Sequence, residues 1–220
     1  MTASENTLAS GKFFRFWSAA NEPRAVVLIS HGLGEHSGRY EHVAAALTAD
    51  NLDVYALDHI GHGKSPGKPA YIDRFSDLTS GVSELRDHIR RHHAGLPVIL
   101  IGHSMGGLIA IRLVLGAHAD YAGLILTGPL LGQPEAPSRL QVMLLRVLSV
   151  LAPKVKAIEI DASAVSRDPA VVSDYIADPL VHHDNIPART LVSLFDETAQ
   201  VMNEASSLQL PVLLLHGAED

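Results

Sequence analysis

Five short apolar runs punctuate the chain, at residues 25–30, 53–57, 98–101, 123–127 and 211–215. They are rich in Val, Ile and Leu and show no regular polar alternation. That pattern predicts strands buried on both faces of a parallel sheet. The segments between them carry helical spacing. Tyr40, Val43, Ala44 and Leu47 share one face of a helix predicted over 39–51. Leu78, Val82, Leu85 and Ile89 do the same over 76–93, and 108–115 is an apolar helix without Gly or Pro. Residues 12–17 read as an early strand, part of an edge hairpin. Strands alternating with helices predict an α/β fold with a mostly parallel sheet and right-handed crossovers.

The rhythm breaks over 130–208, which contains several prolines and one apolar helix at 139–151. Three parts are therefore expected. Residues 1–129 form the first part of the core, 130–208 an inserted cap or lid, and 209–220 the last strand present with a following loop. Leu140, Met143, Leu144, Val147, Leu148 and Leu151 give the cap helix a broad apolar side. Two readings of that side stay open: ordinary core packing, or a lid that covers an apolar tunnel and touches lipid surfaces.

Composition narrows the class. Of 220 residues 47% are hydrophobic, enough for one substantial core. Lys and Arg total 17 against 24 Asp and Glu, a net charge of −7 that argues against nucleic acid as partner. The absence of cysteine excludes disulfides, thiol catalysis and Cys-ligated zinc. Residues 1–12 are polar and resemble no secretory signal, and the longest apolar stretch, 142–152, is short and carries Arg146. The expectation is a cytoplasmic protein, with peripheral membrane contact left open.

Gly102-His103-Ser104-Met105-Gly106 joins the third apolar run to the helix behind it. A serine between a buried strand and a helix sits on a sharp elbow, and small neighbours let that elbow close. Its Oγ is then exposed at the carboxyl end of the sheet. The Met105 N–H lies at the helix N-terminus, where free amides favour an oxyanion. His31-Gly32-Leu33-Gly34 follows the first apolar run, where a loop supplies a second donor, the Leu33 N–H. A nucleophilic serine also needs a base and an orienting acid, in the chain order Ser, acid, His. Asp220 stands where the acid belongs, with Glu219 as the neighbouring alternative. No histidine lies beyond it in this sequence.

The other histidines read as bracing. His31 and His103 are placed in loops that they stabilise, and His59, His62 and Asp58 brace the loop around them. The adjacent pairs His92-His93 and His182-His183 diverge in direction and suit no metal. Gly61-His62-Gly63-Lys64-Ser65 imitates the end of a phosphate loop, but Asp58 occupies the place of its first glycine. No metal and no cofactor are expected.

Ser30 to Tyr40 (SHGLGEHSGRY), Asp58 to Ser65 (DHIGHGKS) and Gly102 to Gly107 (GHSMGG) carry a resemblance, as do Ser166-Arg167 and Asp178-Pro179-Leu180. On these motifs the chain resembles monoacylglycerol lipases of the α/β-hydrolase superfamily from about residue 14 to 220. The resemblance implies an α/β-hydrolase fold with a cap. It implies cleavage of monoacylglycerols to glycerol and fatty acid through an acyl-enzyme, with Ser104 as nucleophile, Asp220 as acid, and Leu33 and Met105 as oxyanion donors. It places Glu35, Arg39 and Tyr175 near the glycerol end of the substrate, although Glu35 and Arg39 also suit a surface ion pair. The implied partner is a small-molecule lipid ester, with transient membrane contact through the cap. Family members continue past the acid loop through a helix, a strand carrying the catalytic histidine and a closing helix. The expectation is therefore a C-terminally incomplete hydrolase without its base. Alternatives are a lysophospholipase or general carboxylesterase of the same fold, an acyltransferase, or a non-catalytic lipid-binding protein.

Overall fold

The computed structural model describes residues 3–132, 138–158 and 161–218. A seven-stranded sheet forms its centre. In chain order the elements are β1 (Ser4–Thr7), β2 (Phe13–Trp17), β3 (Ala25–Ser30), α1 (Glu41–Ala49), β4 (Leu52–Leu57), α2 (Phe75–His92), β5 (Val98–His103), α3 (Met105–Ala117) and β6 (Gly123–Thr127). They continue with α4 (Arg139–Leu151), β7 (Lys156–Ile158), α5 (Pro169–Ala177), β8 (Ile186–Pro187), α6 (Ala188–Glu204) and β9 (Val212–Leu215). The sheet order is β1-β2-β4-β3-β5-β6-β9, antiparallel across β1, β2 and β4 and parallel elsewhere. β7 and β8 pair separately.

Successive residues of β3 feed two different cores, as a strand's period of two requires. Val26 and Leu28 join the cluster built with α2 and α3, including Leu78, Leu85 and Leu108. Val27 and Ile29 join Val54, Ala56, Ile101 and Ala44 on the other face. Both faces of β3 are covered, which explains why its run lacks polar alternation; the last run differs from the expectation, since Val212–Leu215 of β9 pairs only with β6 and is exposed at every residue. α2 follows the expected face, burying Leu78, Val82, Leu85 and Ile89.

Register places the site. Ser30 pairs with Gly102, His103 with Thr127, and Thr127 with Leu215, so four parallel strands end at one level. The strand order also reverses between β3 and β5. An open α/β sheet binds its ligand at the carboxyl ends beside such a switch point.

The structure differs from the sequence pattern in several places. The first helix starts later than 39 because Ser37–Tyr40 forms a separate 3₁₀ turn, whose Gly38 N–H donates to His36 Nδ1 at 3.1 Å. α3 reaches back to Met105, since glycines at 106 and 107 are spacers inside the helix and do not delay it. The region 130–208 holds three α-helices among its described residues, not one. α5 starts on an Asp168 cap with Pro169 in its first turn. α6 carries Leu194 and Val201 into the main core.

α4 has the expected bounds, set by a capping box in which Ser138 and Gln141 satisfy each other's backbone N–H groups. Its Leu145 packs near Leu191, Phe195 and Leu33. Arg146 pairs with Asp196 of α6. The remaining apolar side faces outward: Leu140, Met143, Leu144, Val147 and Leu151 are exposed, Leu151 by 79%. No helix among the described residues is long and apolar enough to cross a membrane.

Candidate active site

Ser104 stands between β5 and α3 with φ +50° and ψ −118°, a conformation L-residues rarely adopt. The surrounding contacts hold it there. Its N–H donates to Thr127 O at 3.1 Å, and its carbonyl accepts from Gly107, Leu108 and Leu130 N–H at 2.9, 3.2 and 3.0 Å. The two flanking glycines are required by space. A Cβ on Gly102 would stand 2.4 Å from Gly106 O, and one on Gly106 would stand 2.0 Å from Ser30 O. His103 Nδ1 lies 2.9 Å from both the carbonyl and the hydroxyl oxygen of Thr127. Met105 opens α3, so its N–H belongs to the first turn, where no preceding helical carbonyl can accept it.

The loop after β3 lies against this elbow. A Cβ on Gly32 would meet Ser104 Cβ at 3.3 Å and Glu35 Oε1 at 2.8 Å. Gly32 N–H donates to Glu35 Oε1 at 2.6 Å. His31 is fully buried and its tautomer follows from its neighbours. Nε2 accepts the His59 N–H at 3.0 Å, so Nδ1 carries the proton and donates to Gly32 O at 2.8 Å. Burial, aided by repulsion from His62, pushes the His31 pKa down to about 3. With both nitrogens engaged, His31 is unavailable as a base and braces the loop, as its position predicted. Asp58 does similar work one loop away, where its carboxylate accepts the Ser37 and Lys64 N–H groups at 2.7 and 2.8 Å.

A cavity of about 880 Å³ opens over Ser104. Leu33, Leu130 and three residues on one side of α6, Leu191, Leu194 and Phe195, give it an apolar wall. Glu35, Arg39 and Tyr175 also line it and form a connected polar cluster. Arg39 Nε stands 3.4 Å from Glu35 Oε2, and its guanidinium lies 4.8 Å from the Tyr175 ring centre. Tyr40 Oη donates to Glu35 Oε1 at 2.8 Å. Burial and then the Glu35 carboxylate raise the Tyr40 pKa well above its ordinary value, so it stays a donor. The Glu35–Arg39 pair is therefore part of the cavity wall and not a solvated surface bridge.

Most of the predicted site residues thus converge: Ser104, Leu33, Glu35, Arg39 and Tyr175 line one cavity, and Met105 is next to the serine. Asp220 and Glu219 lie outside the described residues. Gly217 and Ala218, just before them, line the cavity beyond β9. Sequence reasoning missed Tyr40, Thr127 and the α6 wall. Only the wall left a signal in the sequence, in the helical spacing of Leu191, Leu194 and Phe195.

A family model described as "Serine aminopeptidase, S33" matches residues 21–220. Over 204 residues the chain is 39% identical to a monoacylglycerol lipase of Mycolicibacterium smegmatis, covering 93% of this chain and 73% of that one. The chain belongs to this family of α/β-hydrolases. It is also 36% identical to the monoglyceride lipase of Homo sapiens, over 94% of this chain and 69% of the relative. Among solved structures, the monoacylglycerol lipase of Paleococcus ferrophilus superposes with a TM-score of 0.81 at 33% identity, covering 99% of this chain and 78% of that one.

Proposed function

We propose that the protein hydrolyses the ester bond of monoacylglycerols, releasing glycerol and a fatty acid. The observation that carries this reading is one cavity uniting the strained elbow serine with an apolar wall and the Glu35–Arg39–Tyr175 cluster. The relatives' names support the substrate class.

In this account Ser104 Oγ attacks the ester carbonyl. The oxyanion that forms accepts the Met105 and Leu33 N–H groups, each worth roughly 3 kcal/mol in comparable sites. Asp220 orients a histidine base, which the order of the triad puts after position 220. The base takes the Ser104 Oγ proton and passes it to the departing glycerol oxygen; it then takes a proton from the water that attacks the acyl-enzyme and returns it to Ser104 Oγ as the fatty acid leaves. The acyl chain lies along Leu191, Leu194 and Phe195. Glu35 accepts, and Arg39 and Tyr175 donate, hydrogen bonds at the glycerol hydroxyls. The segment 130–208 serves as the cap, and the exposed apolar side of α4 rests on the lipid surface that presents the substrate.

A head-group series tests this. Monoacylglycerols should exceed diacylglycerols and lysophospholipids of equal chain length by at least tenfold in kcat/KM. Equal rates across the series would contradict the glycerol role of the polar cluster.

A further inference from the structure

The loop that offers the Leu33 N–H contains two glycines, so its own backbone leaves its direction loosely determined. Something else must aim that amide. On the core side, His59 N–H holds His31. On the other side the loop is gripped by one short cap segment, residues 175–182. His182 N–H donates to Gly34 O at 2.7 Å. Two residues along the loop, His36 Nε2 lies 2.8 Å from Asp178 Oδ2.

The direction of that second bond can be assigned. His36 Nδ1 accepts the Gly38 N–H at 3.1 Å, so the ring proton resides on Nε2 and donates to the Asp178 carboxylate. The carboxylate is itself fixed, because Oδ1 accepts the Leu180 N–H at 2.9 Å. Burial works to raise the Asp178 pKa, but the bonds from His36 and Leu180 prevail and leave it lowered, so the acceptor is ionised at neutral pH. His36 is buried and Asp178 is partly covered, which shields the pair from water. The two anchors bracket Glu35, whose carboxylate takes the Gly32 N–H.

We propose that Asp178 is a positioning residue for the oxyanion loop: through His36, and with the His182 amide beside it, it docks cap residues 175–182 onto residues 34–36 and so aims the Leu33 N–H at the developing oxyanion. Asp178 touches no substrate. Stabilisation of the transition state thereby depends on where the root of the cap sits, 142 residues away in sequence from His36. This inference rests on the serine hydrolase reading above.

The test compares wild type with Asp178→Ala, Asp178→Asn and His36→Ala, reading kcat, KM, thermal midpoint and the rate at which a fluorophosphonate labels Ser104. Labelling also builds charge on an oxygen in the hole, so it reports the loop without requiring the right ester. Asp178→Ala should lose about tenfold or more in kcat and in labelling rate, with KM changed less than threefold. His36→Ala should do the same, and the double variant should lose no more than either single one. Asn keeps one acceptor and should fall between alanine and wild type. A wild-type labelling rate in folded Asp178→Ala overturns the proposal. So does a raised KM at unchanged kcat, or equal damage by Asn and Ala that follows the loss of thermal midpoint. If wild type labels but does not cleave monoacylglycerol, the substrate reading fails and the labelling rates still decide the role of Asp178. If wild type does not label at all, both readings fail.

Discussion

The Ser104 elbow and the loop after β3 differ from helix α4 in how they are held. Residues 31–36 and 102–107 make hydrogen bonds in four directions: to the loop after β4, to Tyr40, to the end of β6 and to residues 178 and 182. Helix α4 touches its neighbours along one edge, through Leu145 and Arg146, and leaves most of its apolar side to solvent. One region is fixed by hydrogen bonds on several sides, whereas the other leaves apolar surface uncovered. The contrast suits an enzyme whose reacting atoms need fixed geometry while its substrate arrives from a lipid phase.

The largest expected effect comes from attacking the fixed region. Gly106→Ala puts a methyl where Ser30 O already sits, and the contact involves backbone on both sides. It should cost about 3 kcal/mol or more, or prevent folding, measured by urea denaturation. A variant within 0.5 kcal/mol of wild type would show, by the same ~0.5 kcal/mol yardstick for surface changes, that the elbow is looser than described.

Acid attacks the same region less severely. His31, His59 and His62 are buried, and desolvation, with neighbouring histidines adding to it, lowers the pKa of each. In the unfolded chain each takes up a proton near the ordinary value of 6.5, whereas folded His31 does so only at about 3. The unfolded state therefore binds more protons between those values. Stability is full above pH 6.5 and is lost as pH falls toward 3. His31 alone should contribute about 1.4 kcal/mol per pH unit once titration of the unfolded state is complete. Denaturation between pH 6.5 and 5 isolates the histidines, because ordinary carboxylates stay largely ionised there; a flat profile over that interval, bounded above by the ordinary value, would contradict their neutral burial.

The smallest effect on stability is expected at α4. Replacing Met143 and Leu151 with Ser removes exposed apolar surface and should change stability by no more than about 0.5 kcal/mol. Adsorption to phosphatidylcholine vesicles should nevertheless fall several-fold, as should hydrolysis of dispersed long-chain monoacylglycerol, with soluble short-chain esters unaffected. Unchanged adsorption would remove the membrane role assigned to this face.

The two regions were also unequally legible. The elbow could be read because its chemistry demands one local pattern, and Gly102 and Gly106 have steric reasons to be glycine. α4 could be read because its periodicity is strong and its cap local. β1 could not, since every residue of Ser4–Thr7 is exposed and only pairing with β2 makes it a strand. α6 carries a spaced apolar face, but the prolines and polar residues around it mask the period. The clamp between His36 and Asp178 joins residues far apart in sequence, and no local pattern encodes it. Long-range polar contacts of this kind appear only once the fold has brought their elements together.

The most direct test of the central claim is the intact mass of the protein after exposure to a fluorophosphonate, run beside Ser104→Ala. The account predicts a single adduct on wild type, located by peptide mapping to Ser104, and none on the variant. An adduct on another residue, or an equal adduct on Ser104→Ala, would contradict the assignment of Ser104 as the nucleophile.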